Sequence, residues 1–223
     1  MRLSVSILAA FLVFLAGCVT MPDPVPDEYL VEKTAEQEKG LEKLENFVIA
    51  KNHAARVMKE KLHDAEQKLK VEKGRLGILK DEKKLLEEKQ KQYKLENDGE
   101  KVDETANLIA RKDNEIRAQA SLVDHVEALR DLAIAEKDVA DADLSVQVAE
   151  LRYERARIAR DYLMSRLGTT DTKDKKDSSE AAEKYDEKYR VYLEKQKKIL
   201  VDKKEDREEA AVKVRATEDK LVK

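Results

Sequence analysis

The sequence predicts an all-α chain: an elongated antiparallel coiled-coil helical hairpin plus a third long helix. Three observations predict it. The composition suits long helices, with 42% charged residues, 4% aromatic residues, no Trp and six Gly in 223 residues. All three prolines lie before residue 27, so the rest of the chain lacks the residue that most strongly breaks a helix. Apolar side chains then recur at alternating steps of three and four, the spacing of a coiled-coil seam. A compact enzyme core would want more large apolar side chains. The 45 basic and 48 acidic residues are interspersed, so no basic face is offered to nucleic acid.

Residues 1–17 read as an export signal. One positive charge, Arg2, precedes an apolar run from Leu3 to Leu15 that is too short to span a bilayer comfortably. The run ends Leu15-Ala16-Gly17-Cys18. This junction resembles the lipobox of bacterial lipoproteins, an aliphatic residue and two small ones before Cys. The resemblance implies cleavage before Cys18, a diacylglycerol on its sulfur and acylation of the new amine. The membrane would then be a partner, held through lipid on Cys18. Each buried methylene contributes about 0.8 kcal/mol, so two or three acyl chains anchor stably where one holds weakly. Cys18 is the only cysteine, which excludes an internal disulfide. In enterobacterial lipoproteins an Asp after the Cys resembles an inner-membrane retention signal. Val19 stands there instead, which implies the outer membrane.

Residues 18–26 hold the lipidation candidate and a Pro-rich tether, Met21-Pro22-Asp23-Pro24-Val25-Pro26. Such a stretch favours polyproline II and predicts a semi-rigid spacer that lifts the folded part off the lipid surface. Residues 27–167 form the predicted hairpin, with its turn near 97–100. The first seam reads Leu41, Leu44, Val48, Ala55, Met58, Leu62, Ala65, Leu69, Leu76, Leu79, Leu86 and Tyr93, interrupted by Lys51, Glu72, Lys83 and Gln90. Asn97-Asp98-Gly99 is a strong turn signal, with Asp98 placed to cap the next helix. The second seam begins Val102, Ile109, Ile116, Val123, Val126 and continues through Ala133, Ala140, Leu144, Val148, Leu151, Ile158 and Tyr162, with a stutter at Ala140–Leu144. The two arms, each roughly 100 Å at 1.5 Å per residue, match in length and so predict antiparallel packing. Residues 168–179 carry no apolar side chain and read as a polar linker ending in a cap at Ser178. Residues 180–223 read as the C-terminal helix, with a seam of Ala182, Tyr185, Tyr189, Tyr192, Ile199, Ala210, Val214 and Leu221. Surface pairs Glu66–Lys70, Glu87–Lys91, Glu194–Lys198 and Glu209–Lys213 are expected to add a few tenths of a kcal/mol each.

No catalytic, cofactor-binding or metal-binding residue is expected. His53, His63 and His125 fall off the apolar seams. Glu60-x-x-His63 resembles half of a di-iron bundle motif, but Leu122 precedes His125 where a second Glu would be needed. There is no phosphate-cradling glycine loop, nucleophile elbow or Cys-His pairing. Tyr185, Tyr189 and Tyr192 share a helix face. They read as the seam of the third helix, with an exposed docking strip as the alternative.

The sequence therefore predicts a lipid-anchored envelope protein acting as spacer, scaffold or assembly partner. Other envelope proteins, or a further copy joined through the helix seams, are the expected protein partners. Alternatives are a surface-displayed binder or adhesin, and an accessory part of an efflux or secretion assembly. The last rests on Ala149–Leu163, which looks like the helical hairpins of efflux adaptors. The terminal Lys223 is shared with murein lipoproteins, whose resemblance implies linkage to peptidoglycan through that lysine.

Overall fold

The computed structural model describes residues 21–167 and 174–221; the side chains at 167, 174–182, 184 and 185 lie outside the described set. Among the described residues the fold is all-α. A single 3-10 turn, Asp27–Leu30, precedes three helices: α1 (Ala35–Leu95), α2 (Gly99–Leu167) and α3 (Asp174–Leu221). Contacts group the chain into two units, Met1–Ile49 with Ser145–Ile199, and Ala50–Leu144 with Leu200–Lys223. All three helices contribute to both.

The first helix starts later than the expected Asp27, because a capping box resets the chain. Thr34 Oγ1 accepts from the Gln37 amide at 3.2 Å, and Gln37 Oε1 accepts from the Thr34 amide at 2.9 Å. Two of the orphan donors of a helix start are thereby satisfied by each other's side chains. At the far end α1 stops at Leu95, and Asn97 takes φ 54°, the left-handed conformation that Asn tolerates best after Gly. Asp98 Oδ1 then accepts from the Lys101 amide at 3.2 Å and starts α2. The Lys101 ammonium, followed by that amide, holds the Asp98 carboxyl below the usual aspartate range.

In the unit Ala50–Leu144 with Leu200–Lys223, α1 and α2 pack antiparallel: as residue numbers rise along α1, their partners' numbers fall along α2. Every position of the α1 seam from Ala55 to Tyr93 is buried or half-buried. Leu69, Val123 and Val126 form a buried cluster in it, with Leu76 and Leu122 against them. The polar interruptions of that seam are not defects. Each has a polar partner across the hairpin. Lys51 Nζ lies 2.6 Å from Asp143, and Lys83 Nζ lies 2.7 Å from Asp113. The Gln119 amide donates to Glu72 Oε2 at 2.8 Å and to the Glu72 carbonyl at 3.2 Å. The Gln90 amide donates to the Val102 carbonyl at 3.4 Å. A slip of the two helices by one turn would leave four polar groups, three half-buried and Glu72 buried, facing apolar side chains. Buried polar groups without partners are disfavoured, so these pairs fix the register.

Glu72 gives this device a measurable pH signature. Donation from Gln119, followed by the charge of Arg75, holds its carboxyl below the ordinary glutamate range against the opposing effect of burial. A carboxyl depressed in the folded state contributes stability above its unfolded pKa and loses it as pH falls through the folded value. Thermal melts followed by circular dichroism are expected to drop between about pH 5 and pH 3. Glu72→Gln, which cannot titrate, is expected to show a shallower drop than wild type. An unchanged slope would show that Glu72 takes no part in it.

α2 carries a second packed face that the single-seam reading did not anticipate. From Gln119 to Leu144 only Asp124 is exposed. Ala128, Ala135 and Ala142 recur every seven residues and are all buried, on the side that receives α3. There α3 runs antiparallel to α2. Lys203 faces Asp138 at 3.9 Å, Arg207 faces Glu136 at 4.0 Å, and Thr217 Oγ1 lies 3.1 Å from His125 Nδ1. Small side chains at heptad spacing let two helices approach closely. Seven and fourteen residues before Ser121, on the same line, stand Asn114 and Asn107, both exposed. The alanines thus cover the stretch along which α3 lies against α2, and polar residues follow where it does not.

Two further expectations need correction. The C-terminal helix begins at Asp174 rather than at 180, so part of the expected 168–179 linker is helical, and Ser178 lies inside the helix rather than capping it. The polar run contains no Gly or Pro after Gly168, and Lys, Asp and Ser are tolerated in a helix. Residues 168–173 lie outside the described residues, as does Lys223. Glu87 pairs with Lys83 at 3.5 Å rather than with Lys91, drawn inward by the cross-hairpin ammonium.

Candidate functional site: the N-terminal strap

The unit Met1–Ile49 with Ser145–Ile199 shows what the Pro-rich segment does. Residues 21–30 are not a free spacer. Pro22, Val25 and Leu30 are buried, and with Leu41, Ala156, Ile158, Ala159 and Tyr189 the last two form one apolar cluster. Proline suits this role because it brings no amide proton that burial would leave unsatisfied. Two of the strap's carbonyls are held by donors from the helices. Arg152 Nη1 donates to the Pro22 carbonyl at 2.6 Å, and the Tyr189 hydroxyl donates to the Asp23 carbonyl. The expected tether therefore becomes a strap pinned to α2 and α3.

The same unit continues the close-packed line of α2, with Ala149 1% and Ala156 0% exposed. Opposite charges tie the helices of this unit together. Arg155 reaches Glu45 at 2.8 Å on α1, Arg160 reaches Asp186 at 2.8 Å, and Lys197 faces Glu150 at 3.8 Å on α2. Asp161, then Asp186, holds the Arg160 guanidinium firmly protonated. Within the 3-10 turn, the Tyr29 ring meets that of Tyr162 at a tilt of 42°, with centroids 6.2 Å apart. Arg166 lies over the Tyr162 ring at 4.8 Å and pairs with Glu32 at 3.4 Å. Beside the strap an open groove of about 650 Å³ is lined by Asp27, Lys33, Glu38, Glu42, Glu45 and Arg155, among others.

The residues singled out from sequence fall as follows. Cys18 and the leader lie outside the described residues. Tyr189 and Tyr192 are buried, so they are core rather than an exposed docking strip; the Tyr185 side chain lies outside the described set. His53 and His63 are exposed, as is Glu60, and His125 is half-buried against Thr217. Among the described residues no three His, Cys, Asp or Glu side chains converge to hold a metal ion. No described helix is long and apolar enough to cross a membrane. The strap contacts have no signal in the sequence: Arg152 and Tyr189 stand among charged neighbours like those along the rest of the helices. Comparison with family models, curated proteins and solved structures gave no match.

Proposed function

We propose that the chain is a lipid-anchored helical protein of the bacterial cell envelope, attached through Cys18 and working by what its helix faces bind rather than by catalysis. The lipobox Leu15-Ala16-Gly17-Cys18 at the end of a short apolar leader carries the reading. The strap supports it from the other side of the junction. Only Val19, Thr20 and Met21 separate Cys18 from buried Pro22. Four extended steps reach at most about 14 Å. A lipid on Cys18 would therefore hold the strap's unit close to the bilayer surface, not away from it on a spacer. Val19 in place of Asp favours the outer membrane as the destination. The efflux-assembly alternative has less support. Ala149, Ala156, Ile158 and Ala159 of the suggestive α2 segment are already buried within their own chain.

Metabolic labelling with an alkyne fatty acid tests the proposal. Wild type is expected to take up label and to fractionate with the outer membrane, and Cys18→Ser is expected to take up none. Absence of label on wild type would refute anchoring, and equal label on both would refute Cys18 as its site.

A further inference from the structure

The strap joins α1 through Val31, Glu32 and Lys33, which are exposed and outside any helix. The Glu32–Arg166 pair at this joint is more than half exposed, and so holds it weakly. α1 caps itself on the far side of the joint: its capping box, Thr34 with Gln37, uses no strap residue. The helices of this unit also meet each other directly. Arg155–Glu45 joins α2 to α1, and Arg160–Asp186 and Glu150–Lys197 join α2 to α3. The strap is docked on them by buried Pro22, Val25 and Leu30 and by the carbonyl bonds from Arg152 and Tyr189. A short segment with few buried side chains, hinged at exposed residues, opens at lower free energy than the helices beneath it.

We propose that the strap is a tether with two lengths: it releases from α2 and α3 as one piece while the helices stay packed. The change of length rests on the reading of Cys18 as the lipid anchor. Docked, the link from Cys18 to the folded unit is the four steps to Pro22. Released, it is the sixteen steps to Thr34, which reach at most about 55 Å, roughly four times as far. The prolines serve both states. They narrow the freedom gained on release, so the docked state is the ground state. They also keep the released segment extended, as a spacer requires.

The test uses the full chain with Cys18→Ser, so that an introduced cysteine is the only thiol and no lipid is attached. Its outcome is therefore independent of anchoring, which labelling at Cys18 tests separately. A thiol reagent reaches a buried cysteine only when that site opens. Val25→Cys and Leu30→Cys report the two ends of the strap; Ala149→Cys, buried on α2 outside the strap's cluster, reports the parting of the helices. Both strap thiols are expected to react at least about tenfold faster than the one at 149, at rates that hardly change in low urea. The rate at 149 is expected to climb steeply with urea. Tyr189→Phe keeps the ring and removes the donor to the Asp23 carbonyl. It is expected to speed labelling at 25 and 30 alike, by about fivefold, and to leave 149 unchanged. The response at 30 is decisive, because the lost bond lies seven residues away. Each comparison is made within one cysteine background, and circular dichroism checks that the helices persist. Equal, steeply urea-dependent labelling at all three positions would overturn the proposal, because the strap would then open only as the helices unfold. So would a response to Tyr189→Phe at 25 alone, which would mean a fraying end rather than a strap that leaves as one piece.

Discussion

Val126→Asp is expected to destabilise the chain by about 4 kcal/mol, a large share of the 5–15 kcal/mol that holds most domains folded. Val126 is 1% exposed and packs with Leu69 and Val123 where the α1 and α2 seams meet. The substitution removes apolar burial and places a carboxylate where the nearest packed groups are aliphatic. No polar partner stands across the hairpin, unlike at the seam positions Lys51, Glu72 and Lys83. Val212→Asp, on the exposed side of α3, is the matched control and is expected to change stability by about 0.5 kcal/mol or less. Urea unfolding followed by far-ultraviolet circular dichroism measures both. Similar midpoints for the two variants would mean that the seam around Val126 is not closed in solution.

Ala156→Leu is expected to cost about 1–3 kcal/mol through overpacking. Ala156 has no exposed surface and sits in the cluster that holds Val25 and Leu30 of the strap and Tyr189 of α3. Three added carbons there must displace the strap, shift α3, or force side chains from their rotamers. Ala118→Leu on the exposed side of the same helix adds the same carbons with free space around them and is expected to be near neutral. Thermal melts distinguish the two. The Ala156 variant is also expected to expose the strap to limited proteolysis near Met21–Leu30. Equal tolerance at both positions would contradict the close-packed alanine line.

These variants mark what the sequence discloses and what it hides. The α1 seam is legible because one face of that helix is buried against one partner, so its apolar period is clean. The turn is legible because Asn97-Asp98-Gly99 supplies a left-handed residue and a cap in three positions. The polar interruptions are visible as residues, but their partners Asp143, Gln119 and Asp113 lie far along the chain. Nothing in a periodic pattern links one arm's lysine to the other arm's aspartate until the register is known. The second face of α2 is hidden for another reason. Alanine is both the best helix former and a small apolar residue, so Ala128, Ala135, Ala142, Ala149 and Ala156 pass for propensity rather than packing. Their seven-residue recurrence is the signal that exposes them. The capping box at Thr34 and Gln37 was readable from its spacing alone.

The strap was the hardest element to foresee. Three prolines in six residues describe a backbone shape, and that shape serves a spacer or a docked segment equally well. What decides is whether buried donors wait for the carbonyls. Arg152 and Tyr189 supply them from positions more than a hundred residues away. The change in reading matters for the proposed function, because with a docked strap a lipid on Cys18 would hold the helices close to the bilayer.

The mass of the amino-terminal peptide, recovered from the protein made in its native host, tests the anchor most directly. A peptide that begins at Cys18 and carries thioether-linked diacylglycerol is the predicted result. An unmodified terminus, at Met1 or at any residue past Cys18, in material that partitions into the aqueous phase would contradict it.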